Sequence, residues 1–101
     1  MKIIITENKL RDLQLQHLNR SIGGVSDFEN FIIIYYPNGR YNGGDSEIMM
    51  EYDYEDGRLY IDKSFLDNFA TIYFPNKDDV GPFIKDWFEY QFGVEIKYLQ
   101  S

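Results

Sequence analysis

An α+β fold is the class that this sequence predicts, and three patterns predict it. A helical pattern occupies the first quarter of the chain, an Asp-Gly turn lies between two alternating runs in the middle, and two helical segments followed by an alternating run close it. With 101 residues, the chain is large enough for one core and too small for two. We therefore expect a single domain over residues 1–101, with a mainly antiparallel sheet of about five strands, the Asp-Gly hairpin at its centre and about three helices packed on it.

The N-terminal segment predicts a strand followed by a helix. Residues 2–5 are rich in β-branched side chains, Thr6 can cap a helix over residues 7–21, and Gly23 with Gly24 can end it. The opening apolar run is too short for a signal peptide, and no stretch approaches the roughly 18 apolar residues that cross a bilayer. We therefore expect no membrane association and a location in the cytoplasm.

The next apolar segment predicts an interior strand. Residues 31–36 form a continuous run of β-branched and aromatic side chains, which is typical of a central strand covered on both faces. A buried helix is the competing interpretation. Pro37, Asn38 and Gly39 end the run, and residues 40–45 then read as a flexible loop.

Residues 48–62 predict a β-hairpin. Asp56-Gly57 fits a two-residue type I′ turn, since Gly57 accepts a positive φ without steric cost. This turn predicts the cross-strand pairs Glu55 with Arg58, Tyr54 with Leu59, Asp53 with Tyr60, Tyr52 with Ile61, and Glu51 with Asp62. One face then carries Ile48, Met50, Tyr52, Tyr54, Leu59 and Ile61; the other carries Met49, Glu51, Asp53, Glu55, Arg58, Tyr60 and Asp62.

Two helices and a strand complete the predicted fold. Ser64 can cap a short helix, and Phe74-Pro75 ends it because the residue before proline avoids the helical region. A second helix over residues 81–92 has Pro82 in its first turn and Gly93 just past its end. Its apolar arc is broader than one sheet can cover, so either the preceding helix or a partner packs on its flank. Residues 94–99 alternate and predict the final strand.

Composition narrows the range of functions. The net charge is −7, and after residue 25 six basic residues face fifteen acidic ones. This acidity disfavours direct binding of nucleic acid, because its phosphates would be repelled. The chain has no cysteine, which removes disulfides, zinc–thiolate sites and thiol nucleophiles together.

No residue pattern predicts a reaction. His17 is the single histidine and lies at helical spacing from Leu10 and Leu13, which favours a packing role over catalysis. Residues 76–87 begin like a calcium loop, but Val80 and Trp87 occupy ligand positions. We expect no metal, no cofactor and no catalytic residue. A small hydrolase that uses carboxylates with Mg²⁺ is kept as an alternative.

Since these patterns disfavour catalysis and nucleic-acid binding, we expect the protein to bind another protein through its surface. The predicted binding residues are Met49, Glu51, Asp53, Glu55, Tyr60 and Asp62 on the outer hairpin face, with Phe88 and Phe92 on the rim of the last helix. Tyrosine beside carboxylates suits a basic, partly apolar protein. A homo-oligomer would also explain the surplus apolar arc.

About a third of the chain resembles small proteins of unknown function encoded by tailed phages and related viruses. The segments concerned are residues 1–7 with Leu10, residues 50–57, and residues 83–93. The resemblance implies a viral origin, and with it a location in the host-cell cytoplasm or in a virion, but it transfers no site. The leading hypothesis is a non-enzymatic phage protein, either an accessory factor or a minor virion component, that binds another viral or host protein. An acidic mimic of nucleic acid that inhibits a host defence or DNA-processing enzyme is the alternative.

Overall fold

The computed structural model describes residues 7–37, 41–42, 45–46 and 48–101, and these residues form three α-helices and seven strands. The elements are α1 (Glu7–Ser21), β1 (Gly24–Asp27), β2 (Phe31–Tyr35), β3 (Tyr41–Asn42), β4 (Asp45–Ser46), β5 (Ile48–Asp53), β6 (Arg58–Ile61), α2 (Lys63–Tyr73), α3 (Val80–Phe92) and β7 (Tyr98–Gln100). The α+β fold class is confirmed. The strand predicted at residues 2–5, the Thr6 cap and the loop glycines 39, 43 and 44 lie outside the described residues.

The main sheet has five strands in the order β1-β2-β5-β6-β7. All neighbours are antiparallel except β6 and β7, which are parallel. Parallel pairing requires a crossover connection, and α2 and α3 provide it between these two strands. The final strand is present, but it begins four residues later than predicted, ends one residue later and is shorter. Strands β3 and β4 form a separate two-stranded pair.

Strand β2 has a neighbour on each side, as the apolar run predicted, but among the described residues the helices cover only one of its faces. Ile32 and Ile34 are fully buried. The alternate residues Phe31 and Ile33 point to the opposite side, where Phe31 is exposed and Ile33 half-buried. The expectation of cover on both faces is wrong because the helical core side chains all pack on the side of Ile32 and Ile34.

The hairpin is present, but its turn differs from the prediction. Residues 54–57 form a four-residue turn between β5 and β6, and no residue except glycine has a positive φ. A type I′ turn needs positive φ at both central positions, so Asp56 excludes it. Instead, the Asp53 carbonyl accepts the Gly57 N–H at 2.9 Å, while the Asp53 carboxylate accepts the Glu55 N–H at 2.8 Å. Only Gly57, at φ 70°, adopts the left-handed conformation.

This longer turn moves the cross-strand register by two residues. Met50 now faces Ile61, Glu51 faces Tyr60, Tyr52 faces Leu59 and Asp53 faces Arg58. A shift of two leaves every paired side chain on its predicted face, whereas a shift of one would have reversed the faces. Glu51 and Asp62, which the predicted register pairs, are not opposite each other, because Tyr60 takes the place opposite Glu51.

A β-bulge changes the position of one predicted surface residue. The register between β2 and β5 passes from Ile34 opposite Met50 to Tyr35 opposite Ile48, which leaves Met49 without a direct partner in β2. The extra residue bends the strand, and Met49 and Met50 are both fully buried. Ile48, which alternation placed inside, is exposed instead.

The helix boundaries follow the sequence signals with one exception. The predicted bounds of α1 are confirmed, and α2 ends at Phe74 before Pro75. The cap of α2 is at Asp62 and not at Ser64, although the Asp62 side chain caps no N–H; its carboxylate accepts the Tyr36 hydroxyl instead. Gly93 adopts φ 64° after the last residue of α3, as a left-handed C-cap should.

The core lies between the inner face of the sheet and the helices. A chain of rings links α2 to α3, with Phe69 contacting Phe74 at 5.0 Å and Phe83 at 6.0 Å between ring centroids. Phe88 of α3 packs on Tyr52 of β5 at 5.6 Å. Within the described residues, α2 therefore covers one flank of α3. This is the first of the two alternatives that the broad apolar arc of α3 left open.

Candidate functional site

The outer face of the sheet is the surface that the fold leaves uncovered by its core. The register places ten side chains there, none of them in the buried core: Ser26, Phe31, Ile33, Tyr35, Glu51, Asp53, Arg58, Tyr60, Tyr98 and Gln100. We call this surface the open face. It spans all five strands, so it is wider than the hairpin face that the sequence predicted.

Aromatic side chains form much of the open face. Tyr60 is 43% exposed, Tyr98 is 59% exposed, and Phe31 belongs to the same surface. Partly exposed rings carry apolar area that a contact can remove from water, and tyrosine adds a hydroxyl for hydrogen bonding. Rings placed on paired strands are also held at a fixed spacing, which favours binding without a large ordering cost.

The open face and the adjoining turn carry several carboxylates and one guanidinium. Asp53 lies directly opposite Arg58, and the Asp56 carboxylate lies 4.0 Å from the same guanidinium. Glu51 lies opposite uncharged Tyr60, and Glu55 is exposed in the turn. Lys97 adds a second cation, because its side chain lies beside Gly57 in the turn. Four carboxylates against these two cations leave the hairpin end of the surface negative.

Three predicted binding residues lie together on the open face, namely Glu51, Asp53 and Tyr60, with Glu55 at its end. Two predicted residues cannot contribute. Met49 is turned inward by the bulge, and Phe88 is fully buried against Tyr52, so neither side chain is accessible in the folded protein. Alternation could not reveal the bulge, and the helical arc could not show which part of α3 meets the sheet.

The other two predicted binding residues lie away from the open face. Asp62 lines a groove between α1 and α2, where it is hydrogen-bonded by Tyr36. Phe92 is half-buried at the end of α3 and packs on Phe88 at 4.5 Å between ring centroids. The structure thus divides the predicted site residues among the open face, the groove and the core.

The groove beside Asp62 has a volume of about 1060 Å³ and contains the single histidine. His17 stacks on Phe69 at 5.3 Å and contacts Tyr73 at 4.6 Å between ring centroids. Burial, with Arg20 nearby, lowers the pKa of His17, so the ring is held in its neutral form. Its described ring contacts are aromatic, which fits the packing role expected from the sequence.

Two tyrosines fix the hairpin next to the open face. The Tyr52 hydroxyl donates to the Glu95 carbonyl at 2.7 Å, and burial raises the pKa of Tyr52. The Tyr54 hydroxyl donates to Asp27 at 3.1 Å, and desolvation together with this carboxylate raises the pKa of Tyr54. These bonds tie the hairpin to the segment before β7 and to the end of β1, and so make the open face one surface.

The described residues contain no group of three or more histidine, aspartate or glutamate side chains that could hold a metal ion. No helix among them is long and apolar enough to cross a membrane. Comparison of the chain with protein-family models, with curated proteins and with solved structures found no similar protein.

Proposed function

We propose that this protein is a non-enzymatic binding domain whose open face docks a basic, partly apolar segment of another protein. The observation that carries the proposal is the coincidence of exposed rings and unbalanced carboxylates on one face of the sheet. Aromatic residues dominate the energetics of protein interfaces, while charge steers the approach of a complementary partner.

The geometry supports a segment lying across the strands. Tyr60 lies between Glu51 and Gln100 in one cross-strand row, and Arg58 lies between Asp53 and Tyr98 in the next. A basic side chain can therefore approach Glu51 while apolar neighbours on the same segment cover Tyr60. The single Arg58 is balanced by two carboxylates, so it does not cancel the attraction.

The proposed setting is that of a phage protein, because of the resemblance stated above. The partner would then be a viral or host protein, and this chain an accessory factor or a minor virion component. A nucleic-acid mimic would also use carboxylates, but it would bind through charge alone. The rings on the open face favour docking over mimicry, and their removal separates the two.

The first test is a titration followed by the backbone amide resonances of the protein. The probe is a ten-residue peptide that alternates lysine and leucine, and the control peptide has glutamate in place of lysine. We expect the basic peptide to shift resonances of β5, β6 and β7, with an affinity that falls as salt is raised. Shifts confined to the helices would contradict the proposal.

Two sets of variants sharpen the test. The first changes Glu51 and Glu55 to lysine, which keeps the Asp53 carboxylate that holds the turn. Its matched control changes Asp12 and Asp67 to lysine, two residues that are exposed on the helices and carry the same total charge. We expect the first set to abolish binding and the control to retain most of it. Equal loss in both sets would mean that net charge, not the open face, governs binding.

A ring variant separates docking from mimicry. Changing Tyr60 and Tyr98 to serine leaves every charge in place and removes two exposed rings. We expect affinity for the basic peptide, and for any partner captured from infected-cell lysate, to fall at least about tenfold, because each ring is worth on the order of 1 kcal/mol or more at an interface. Unchanged affinity would favour the mimic.

A further inference from the structure

A second concave site lies between α1 and α3, on the opposite side of the protein from the open face. Its volume is about 470 Å³, within the range of small-ligand pockets. Leu15, Phe83, Trp87 and Tyr90 provide its apolar lining. Both helices pack on α2, and the cleft is lined by residues of α1 and α3 alone.

Trp87 forms a wall of this cleft and carries a hydrogen-bond donor without an acceptor. The side chain is only 8% exposed, and its indole Nε1 is buried with no hydrogen-bond partner. An unsatisfied buried donor destabilises the folded protein, and native proteins contain few of them. A ligand that brings an acceptor to this N–H would recover that loss.

Arg11 supplies a second donor group at the same cleft. Its guanidinium lies 5.7 Å from the centre of the Phe83 ring, and no carboxylate of the described residues lies within ion-pair distance of it. A guanidinium over a ring can still donate through its edge to an acceptor. Asp86 also lines the cleft, so the site does not favour an anion by charge alone.

From these observations we infer that the α1–α3 cleft binds a planar aromatic molecule that carries a carbonyl or carboxylate acceptor. The apolar walls receive the ring, and the acceptor is shared by the Trp87 N–H and the Arg11 guanidinium. The indole nitrogen is closed to solvent, so the ligand reaches it only when a neighbouring side chain changes rotamer.

The experiment uses the fact that Trp87 is the single tryptophan of the chain. Its indole N–H gives one resolved resonance in a nitrogen–proton correlation spectrum. Benzoate and benzamide are titrated as acceptor-bearing rings, with toluene as the ring that lacks an acceptor. We expect a downfield shift of the indole proton with at least one of the first two probes, and about tenfold weaker binding of toluene.

Variants at Arg11 complete the test. We expect Arg11→Met, which keeps the stem over Phe83, to weaken the bound probe about tenfold and Arg11→Lys to weaken it less. Lys63→Met, an exposed change at the start of α2, is the matched control and should leave the affinity unchanged. Dispersed spectra confirm that each variant is folded. Equal binding of toluene, an effect of Lys63→Met equal to that of Arg11→Met, or an unmoved indole resonance would each overturn the inference.

Discussion

The two faces of the sheet are built from the same strands and differ in almost every physical respect. The inner face carries Ile32, Ile34, Met50 and Leu59, all fully buried beneath the helices. The outer face carries exposed rings and carboxylates from alternate positions of the same strands. Alternation in sequence thus separates the residues that hold the fold together from those available for contact with another molecule.

Substitutions should have different effects on the two faces of the sheet. A side chain on the inner face fills space that its neighbours cannot close, whereas one on the open face borders water. Stability should therefore depend on the inner face and binding on the outer face. Substitutions on the two faces can test this assignment of stability to the inner face and binding to the open face.

Removal of a central core ring should have the largest effect. Phe69 is fully buried and contacts rings from three segments, including His17, Phe74 and Phe83. We expect Phe69→Ala to lower the free energy of unfolding by about 3–5 kcal/mol. Tyr60→Ala on the open face should cost less than about 1 kcal/mol. Chemical denaturation of both variants measures the contrast, and similar losses would show that the open face is part of the core.

The next effect concerns the turn that sets the edge of the open face. Gly57 has φ 70°, and an added Cβ would lie 3.0 Å from the Lys97 side chain. Its carbonyl also accepts the Lys97 N–H at 2.8 Å, which positions the approach to β7. Gly57→Ala should therefore destabilise the protein by about 1–2 kcal/mol through the left-handed conformation, and the close contact with Lys97 should add to this loss.

Gly93 provides the matched control for this prediction. It has φ 64°, but nothing lies within 4 Å of its added Cβ. Gly93→Ala therefore carries the conformational cost alone, and thermal unfolding should show it to be the milder change. A larger loss for Gly93→Ala than for Gly57→Ala would contradict the described contact with Lys97.

The sequence predicted the fold to the extent that local signals determine it. The helix at Glu7–Ser21, the proline stop after Phe74 and the glycine after α3 were all correct, because each depends on residues a few positions apart. The predicted two-residue turn was wrong, because the Asp-Gly signal does not reveal that the Asp53 carboxylate stabilises a longer loop. Strand β1 was missed, since four residues with two half-buried positions give no periodic pattern.

The pH dependence of stability tests the packing of His17 on the helical side of the sheet. Burial lowers the pKa of His17, so the folded protein binds fewer protons than the unfolded chain between the two pKa values. Stability is then complete above the unfolded value of about 6.5 and falls as the pH drops below it. Denaturation at about pH 7 and pH 5.5 should show the loss, and His17→Phe should reduce the slope. An unchanged slope would place the titration elsewhere.

The candidate site was predicted in part, and its errors have separate causes. Glu51, Asp53 and Tyr60 share a face because side-chain period along a strand is independent of loop length, provided that the register shifts by an even number. Met49 failed because a bulge inserts one residue and reverses the face locally. Phe31 and Tyr98 were not predicted to join the surface, since strand order does not follow from one sequence.

The smallest effect distinguishes the predicted register from the observed one. If Glu51 faced Asp62, removal of its charge would relieve a repulsion and stabilise the protein by a few tenths of a kcal/mol. In the observed register Glu51 faces Tyr60, so Glu51→Gln should leave the free energy of unfolding unchanged within about 0.3 kcal/mol. Asp53→Asn should instead destabilise by about 0.2–1 kcal/mol, because it removes the charge opposite Arg58. Replicate denaturant titrations resolve the difference, and a gain in stability for Glu51→Gln would support the two-residue turn and shift the rows of the open face by two positions.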